Sequence, residues 1–471
     1  MTSLSARAAW FFGFVAAGCV YPHLSSSPDW AEENDGAGGE PAPGGASGGG
    51  EGGVGAQGGS SPTEGVAGAT ASMAGAAGTP PVDEDVIHGV VLDQFDAPVP
   101  GIVVLIDDVE LVSDEDGEVS LVDSGKEVFD VTVVDEPHKI AYVYHGITRH
   151  ELRIGVATQP SAQASSAKLE GTIATELNET NLRVMYVDAA RGVQAIGERN
   201  PADNAPNVRY SVAPTWSGEG ELNGRLMAMN FTPHPVQLIP QAYELGVLDV
   251  ALAADDSKKN VNLRLEPLQT RELNVELSTP AGVTRYDTLL LGSFAFTNTA
   301  PLPSQTYLIP SDPAFDAAEL AMLLLVSCVA PEGSASFTIP ITEATSQLQQ
   351  KCGTPPKLTS PPSGATGVKN DATLSFEPQL EGCHSFSITH TAESSPWSVF
   401  IFTMNTEVVA PDLSKYGLSY APHDVSWTAG STSPCDSIDN YLAPIDRDAP
   451  TQLTEVASSD RSGGSTFTTA N

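Results

Sequence analysis

Positive charge is scarce in this chain. Its 471 residues carry 22 Lys and Arg against 59 Asp and Glu, a formal net charge of −37, and no Lys or Arg occurs between Arg7 and Lys126. A nucleic-acid binder needs a basic stripe to displace counterions from phosphates, so nucleic acid is excluded as a partner. Electrostatic docking on anionic headgroups is excluded with it. The acidic residues, gathered at Asp83, Glu84, Asp85, Asp107, Asp108 and Asp114 to Asp116, read as solubility and colloidal repulsion. Long apolar runs are missing too: Ala8 to Ala17 and Leu320 to Ala330 both fall short of the roughly 20 residues that span a bilayer. There is no Cys-x-x-Cys and no His-Glu-x-x-His, and no Gly-x-Ser-x-Gly elbow opens a helix. Gly218, Gly220 and Gly224 miss a dinucleotide loop by one position and lack a strand-helix unit around them. No cofactor, metal site or catalytic residue is therefore expected.

What is present begins at the N-terminus. Arg7 precedes the apolar run from Ala8 to Ala17, which ends in the small residues Ala16, Ala17 and Gly18 before Cys19. An apolar core of this length closed by small residues is an export signal. The segment resembles the lipobox leaders of bacterial lipoproteins, which implies cleavage after residue 18 and acylation of Cys19. The alternative is an ordinary cleaved signal near Ala17, giving a secreted protein. The resemblance further implies the outer membrane, because Val20 and Tyr21 lack the Asp that retains such lipoproteins at the inner membrane.

From Cys19 to Val82 the chain is dominated by Gly, Ala, Ser and Pro. Too few side chains can be buried to offset the ordering entropy, so residues 19–82 read as a disordered tether with a reach of roughly 45 Å. After it the period changes to two, with short Val-, Ile-, Leu- and Tyr-rich stretches broken by Gly, Pro, Asp and Asn. This is an all-β pattern. In residues 86–155, strands are expected at Val86 to Leu92, Ile102 to Ile106, Val119 to Val122, Val128 to Val134, Ile140 to Tyr144 and Leu152 to Ile154. Gly89-Val90-Val91-Leu92-Asp93, Ala97-Pro98-Val99-Pro100-Gly101 and Asp114-Glu115-Asp116-Gly117-Glu118-Val119 resemble the carboxypeptidase regulatory-like domain. That family implies a transthyretin-like β-sandwich with no catalytic role. Asp114 to Gly117 also invites a calcium reading. With Gly117 as the sixth loop position, however, the first ligand falls on Val112, so a hairpin turn is the better account.

Residues 168–353 form a second β-rich region, as one sandwich or two. Strands are expected at Leu182 to Val187, Leu226 to Phe231, Val247 to Ala253, Leu289 to Thr297, Leu320 to Ala330 and Phe337 to Ile341. The alternating segments Val261-Leu263-Leu265 and Leu273-Val275-Leu277, joined through Pro267, read as a half-buried hairpin. Asp312-Pro313 reads as the start of a helical turn. A boundary falls at Gly353-Thr354-Pro355-Pro356. In residues 355–447, Ser360-Pro361-Pro362-Ser363-Gly364-Ala365 ahead of Thr373-Leu374-Ser375-Phe376 resembles a fibronectin type III or immunoglobulin-like module. The tail 448–471 reads as disordered. The expected architecture is thus all-β, with tandem β-sandwich modules (Ig-like or transthyretin-like) behind a disordered tether.

Four cysteines remain after Cys19. The local pairing, Cys328 with Cys352 and Cys383 with Cys435, needs no bridge between regions, and exported thiols oxidise. Among histidines, His384 and His390 share one strand face about 20 Å apart, too far to bind one metal. They read as a core edge. His145 and His150 flank a turn near Glu151. Three function classes follow: a non-catalytic structural, adhesive or scaffold protein of the cell surface, a module binding a polysaccharide or an envelope protein, or an extracellular hydrolase with an unrecognised site. Exposed Trp216, Trp397 or Trp427 would favour sugar binding, and buried ones a scaffold.

Overall fold

The computed structural model describes residues 86–469 except 94–96, 123–124, 158–163, 178–180, 189–190, 192, 204, 218–219, 234–238, 318–319, 370, 391–395, 420–423 and 444–456. The leader 1–18, Cys19 and the tether 19–82 lie outside the described residues. The described part is all-β, and its α-helix is the short Pro313–Ala317 turn. The Asp312 carboxylate caps that turn by accepting the Ala314 amide at 2.7 Å, the role Asp serves when Pro follows it.

The central region is built on a sheet buried on both faces. Its strands Arg183–Asp188, Leu222–Pro233 and Pro240–Leu252 pair antiparallel. Val184, Tyr186, Leu226, Ala228 and Leu252 enter one core with Leu169 and Val208, which lie on the Lys168–Ala174 and Asn207–Val212 strands. Met185, Met227, Met229, Phe231 and Leu245 enter a second core with Leu273, Leu289, Phe296, Tyr307 and Phe337. Leu226 to Phe231 are consequently buried without a break. A strand covered on both faces loses the alternation of a half-exposed one. The region is therefore two cores sharing one sheet, which is why its sequence resists division into one sandwich or two.

The expected hairpin through Pro267 does not form. Its alternation is real, since Leu263, Leu265, Leu273, Val275 and Leu277 are buried. However, Leu263 pairs with the Lys168–Ala174 strand, whereas Thr270–Ser278 pairs with Ser304–Pro310 and Gln347–Lys351. The chain crosses from one core to the other at this point. Similarly, the expected single strand from Leu289 to Thr297 is a hairpin, Thr284–Leu291 with Phe294–Asn298, turning at Gly292 with φ of 58°.

The first and last regions share a sheet in the same manner. Strand Ile140–Ile147 lies parallel to Trp397–Thr403, with Tyr144 opposite Phe402. On one face, Val131, Val133, Tyr142, Tyr144 and Phe402 meet Ile87, Val91, Leu152 and Ile154. On the other, Val134, Ala141, Val143, Val399 and Ile401 meet Leu374, Phe376 and Val408. The first core is closed by Ile438 and Leu442, from a segment nearly 300 residues downstream. Arg153 donates its amide to the Leu442 carbonyl at 2.8 Å. The Asp439 carboxylate accepts the Thr148 amide, also at 2.8 Å.

The tail supplies a correction. Residues 457–469, expected to lack structure, form the strands Ala457–Ser462 and Ser465–Thr469. Ala457–Ser462 lies between Gly333–Pro340 and Asp424–Ser433, and so joins the central region's sheet to the C-terminal one. Its Ala-Ser-Ser-Asp-Arg-Ser composition has no apolar stripe. It is held by polar contacts instead: Ser462 accepts the Ala429 amide at 2.9 Å, Asp460 accepts the Ser431 amide at 2.7 Å, and the Ser336 and Ser459 hydroxyls pair at 2.8 Å.

Candidate functional site

Cys19 lies outside the described residues. Cys328 and Cys352 are bridged with Cα atoms 5.7 Å apart, and Cys383 and Cys435 with Cα atoms 5.4 Å apart. The first bridge closes over the larger central core; the second packs against the core of the first region.

Each histidine singled out in the sequence has a local neighbour that accounts for it. His145 Nδ1 lies 2.8 Å from the Asp130 carboxylate. Burial pushes that carboxyl up, but His145 and the Gly146 amide hold it on balance below its usual value. The His150 ring lies against Phe129 with centroids 6.2 Å apart. His384 is buried with Nδ1 3.1 Å from the Ser431 hydroxyl, and burial lowers its pKa. His390 stacks on Trp397 at 5.5 Å. Among the described residues, no group of three or more His, Cys, Asp or Glu is placed to hold a metal ion.

The acidic turn is occupied by its own backbone. Asp114 Oδ1 accepts the amides of Asp116 at 3.0 Å and Glu118 at 2.8 Å, and Gly117 adopts φ of 74°. A side chain at Gly117 would press its Cβ to 2.6 Å from the Val91 carbonyl, so only glycine fits. The turn does not close a hairpin. Val109–Val112 pairs with Val103–Ile106, whereas Glu118–Val122 pairs with Val86–Leu92, and the turn carries the chain from one sheet to the other.

Three buried polar groups went unread in the sequence. Arg285 makes a two-pronged contact to Asp287 at 2.7 and 2.6 Å, and Tyr307 donates to the same carboxylate at 2.6 Å. A signal existed, because Arg285 and Asp287 continue the inward face of Leu289 and Leu291. Glu244 is buried and accepts from the Thr175 hydroxyl and the Glu176 amide. Asp460 is the third, in a strand with no apolar pattern to mark it as internal.

No known protein family matches the chain, and no curated protein does. Among solved structures, it is similar to a fimbrial assembly protein from Parabacteroides distasonis, at 12% identity over 40% of this chain and 92% of that one, with a TM-score of 0.16. It is also similar to BcpA, the major pilin subunit of Bacillus cereus, at 9% identity over 56% of this chain and 97% of that one, with a TM-score of 0.12. Scores at that level carry no inference about this chain's fold or role.

Proposed function

We propose that this chain is a lipid-anchored protein of the cell envelope that acts by presentation and contact rather than by catalysis. The observation that carries the reading is where the indole rings lie: Trp216, Trp397 and Trp427 are 2, 4 and 1% exposed. A face that captures polysaccharide by stacking needs rings in solvent, and these are committed to packing. The histidines, likewise, are committed to neighbours rather than to one pocket. In this reading a leader ending at Cys19 supplies the anchor of the strand-rich body. Negative charge keeps that body from collapsing onto anionic headgroups.

Fractionation tests the anchor: Cys19→Ala releases the protein from the membrane fraction and abolishes palmitate incorporation. Unchanged labelling in that variant refutes it. Screening the full chain for esterase, protease and glycosidase turnover tests the rest. An activity lost in His145→Ala, His150→Ala, His384→Ala or His390→Ala, with the circular dichroism intact, makes the protein an enzyme.

A further inference from the structure

The strand Val109–Val112 ends its sheet: it pairs with Val103–Ile106 on one side and, among the described residues, with no strand on the other. The turn Asp107-Asp108 joins the two strands, and past their far end Ser113 donates its amide to the Ile102 carbonyl at 2.9 Å. Antiparallel bonding alternates along such a pair, so the N–H and C=O groups of Glu110 and Val112 face outward. Val109 and Val112 are 44 and 57% exposed on this edge. Edges are ordinarily blunted by Lys, Pro, a bulge or a covering group. The other end of the same sheet is treated in that way, since Arg183 donates to the Ala295 carbonyl of the end strand Phe294–Asn298.

At Val109–Val112 the charge around the edge is of the opposite sign. From Asp107 to Asp130 the sequence has ten Asp and Glu against one Lys. Lys126 pairs with Asp107 at 2.6 Å, and Glu110 is engaged by Lys415 and the Tyr416 hydroxyl. Asp108 in the turn before the strand, and Glu115 and Asp116 in the turn after it, are exposed and lie outside both ion pairs. A second copy of this chain brings the same charge to the edge and is repelled, whereas a basic segment is attracted from both ends of the strand.

We propose that this edge binds an extended, basic segment of a partner protein by strand addition. The backbone of that segment meets the outward groups of Glu110 and Val112. Its apolar residues extend the face of Val109 and Leu111, which is shared with the core residues Ile106 and Val104, and its Lys or Arg residues reach the carboxylates of the two turns. The proposal rests on the reading that this chain acts by contact, and names the surface and the class of partner.

Fluorescence anisotropy on the full chain tests it, with a dye-labelled peptide of alternating lysine and valine as the probe. The peptide binds, and raising salt from about 0.05 to about 0.5 M weakens it by about tenfold, as screening requires. The same peptide N-methylated along its backbone keeps its charge but loses its N–H donors, and binds about tenfold more weakly. Val112→Lys changes an exposed position, where folding is not at stake, and also weakens the probe by about tenfold. Ile196→Lys makes the same charge change at a 72% exposed position on another edge strand, Val193–Ile196, and leaves the affinity unchanged. Hydrogen exchange in the complex gains protection at Glu110 and Val112, and protection confined to other segments overturns the proposal. Absence of binding overturns it as well. Equal affinity for the methylated peptide, or equal losses in Val112→Lys and Ile196→Lys, overturns it in favour of diffuse attraction to an acidic protein. A wild-type dimer in sedimentation, dissolved by Val112→Lys, overturns it in favour of self-pairing. None of these outcomes touches membrane release by Cys19→Ala or the turnover screens, so the two readings fail separately.

Discussion

The central region and the joined first and last regions solve the same problem with chain drawn from different distances. Each has a middle sheet buried on both faces between two cores. In the central region that sheet comes from Arg183–Asp188, Leu222–Pro233 and Pro240–Leu252, close neighbours in sequence. In the other, Ile140–Ile147 must find Trp397–Thr403 across more than 250 residues. Non-local pairing must meet its loop-closure entropy before any contact rewards it. Both cores of the central region draw only on residues 167–352, whereas the core of the first region is completed by the C-terminal segment. A body built this way has its two ends tied together, with the middle held as an insert.

The largest expected effect follows from that asymmetry. Residues 164–352 expressed alone fold with a cooperative melt, whereas residues 86–155 alone stay unfolded, since Phe402, Ile438 and Leu442 are missing from their core. Circular dichroism melts of both fragments check this, and an independent transition for 86–155 breaks the comparison. Next is Phe402→Ala in the intact chain. Phe402 stacks on Tyr144 at 5.1 Å and touches Tyr441 at 4.8 Å, so its loss costs about 3–5 kcal/mol. Hydrogen exchange should show the first and last regions loosening together while the central amides stay protected.

The disulfides sharpen the same contrast. Loop closure predicts about 4 kcal/mol for Cys383–Cys435, which spans 52 residues, and about 3 kcal/mol for Cys328–Cys352, which spans 24. Urea melts of the Cys383→Ser/Cys435→Ser and Cys328→Ser/Cys352→Ser double variants measure the two, and only the first should weaken the 86–155 region. At the joint between the halves, burial raises the Asp460 carboxyl to about 6, against the pull of the Ser431 and Gln379 amides. The folded state therefore keeps a proton that the unfolded chain has released between about pH 4 and 6. Stability from this group is greatest below about pH 4, is lost as pH rises through about 6, and amounts to at most about 3 kcal/mol. Asp460→Asn removes that fall, read as the difference between variant and wild-type melts across pH 4 to 7.

The sequence was legible where structure is local. Val86–Leu92, Thr373–Glu377 and Cys383–His390 follow from alternation, and the Pro313–Ala317 turn from its Asp-Pro start. Alternation tells which side chains are buried but not which core receives them, and so Leu263 and Leu273 looked like partners while belonging to different cores. Ala457–Ser462 was illegible because its pairing rests on serine hydroxyls and one carboxylate, a composition shared with disordered tails. The burial of Asp460 was hidden for the same reason: its strand is internal because two distant strands, Gly333–Pro340 and Asp424–Ser433, pair with it on either side. Arg285 and Asp287 were half legible, since their spacing places them on the inward face but charge argues for solvent.

The smallest expected effect concerns the acidic turn, where the comparison could still fail. If Asp114 to Asp116 held calcium, the first region would own an anchor independent of the C-terminal segment, and the contrast with the central region would narrow. The geometry argues against it. Asp114 Oδ1 already accepts two amides, Gly117 supplies the left-handed conformation the turn requires, and the chain then crosses to a second sheet. Calcium prefers six to eight oxygen ligands, whereas here one carboxylate oxygen is engaged by backbone N–H groups that a bound cation would repel. Millimolar calcium should therefore shift the melting temperature by less than about a degree, within the range of an unspecific surface effect. Asp114→Ala, in contrast, should cost about 1 kcal/mol through loss of the turn's own hydrogen bonds, with or without calcium. A calcium-dependent rise of several degrees, abolished in Asp114→Asn with Asp116→Asn, would give the first region its own anchor and end its dependence on the last.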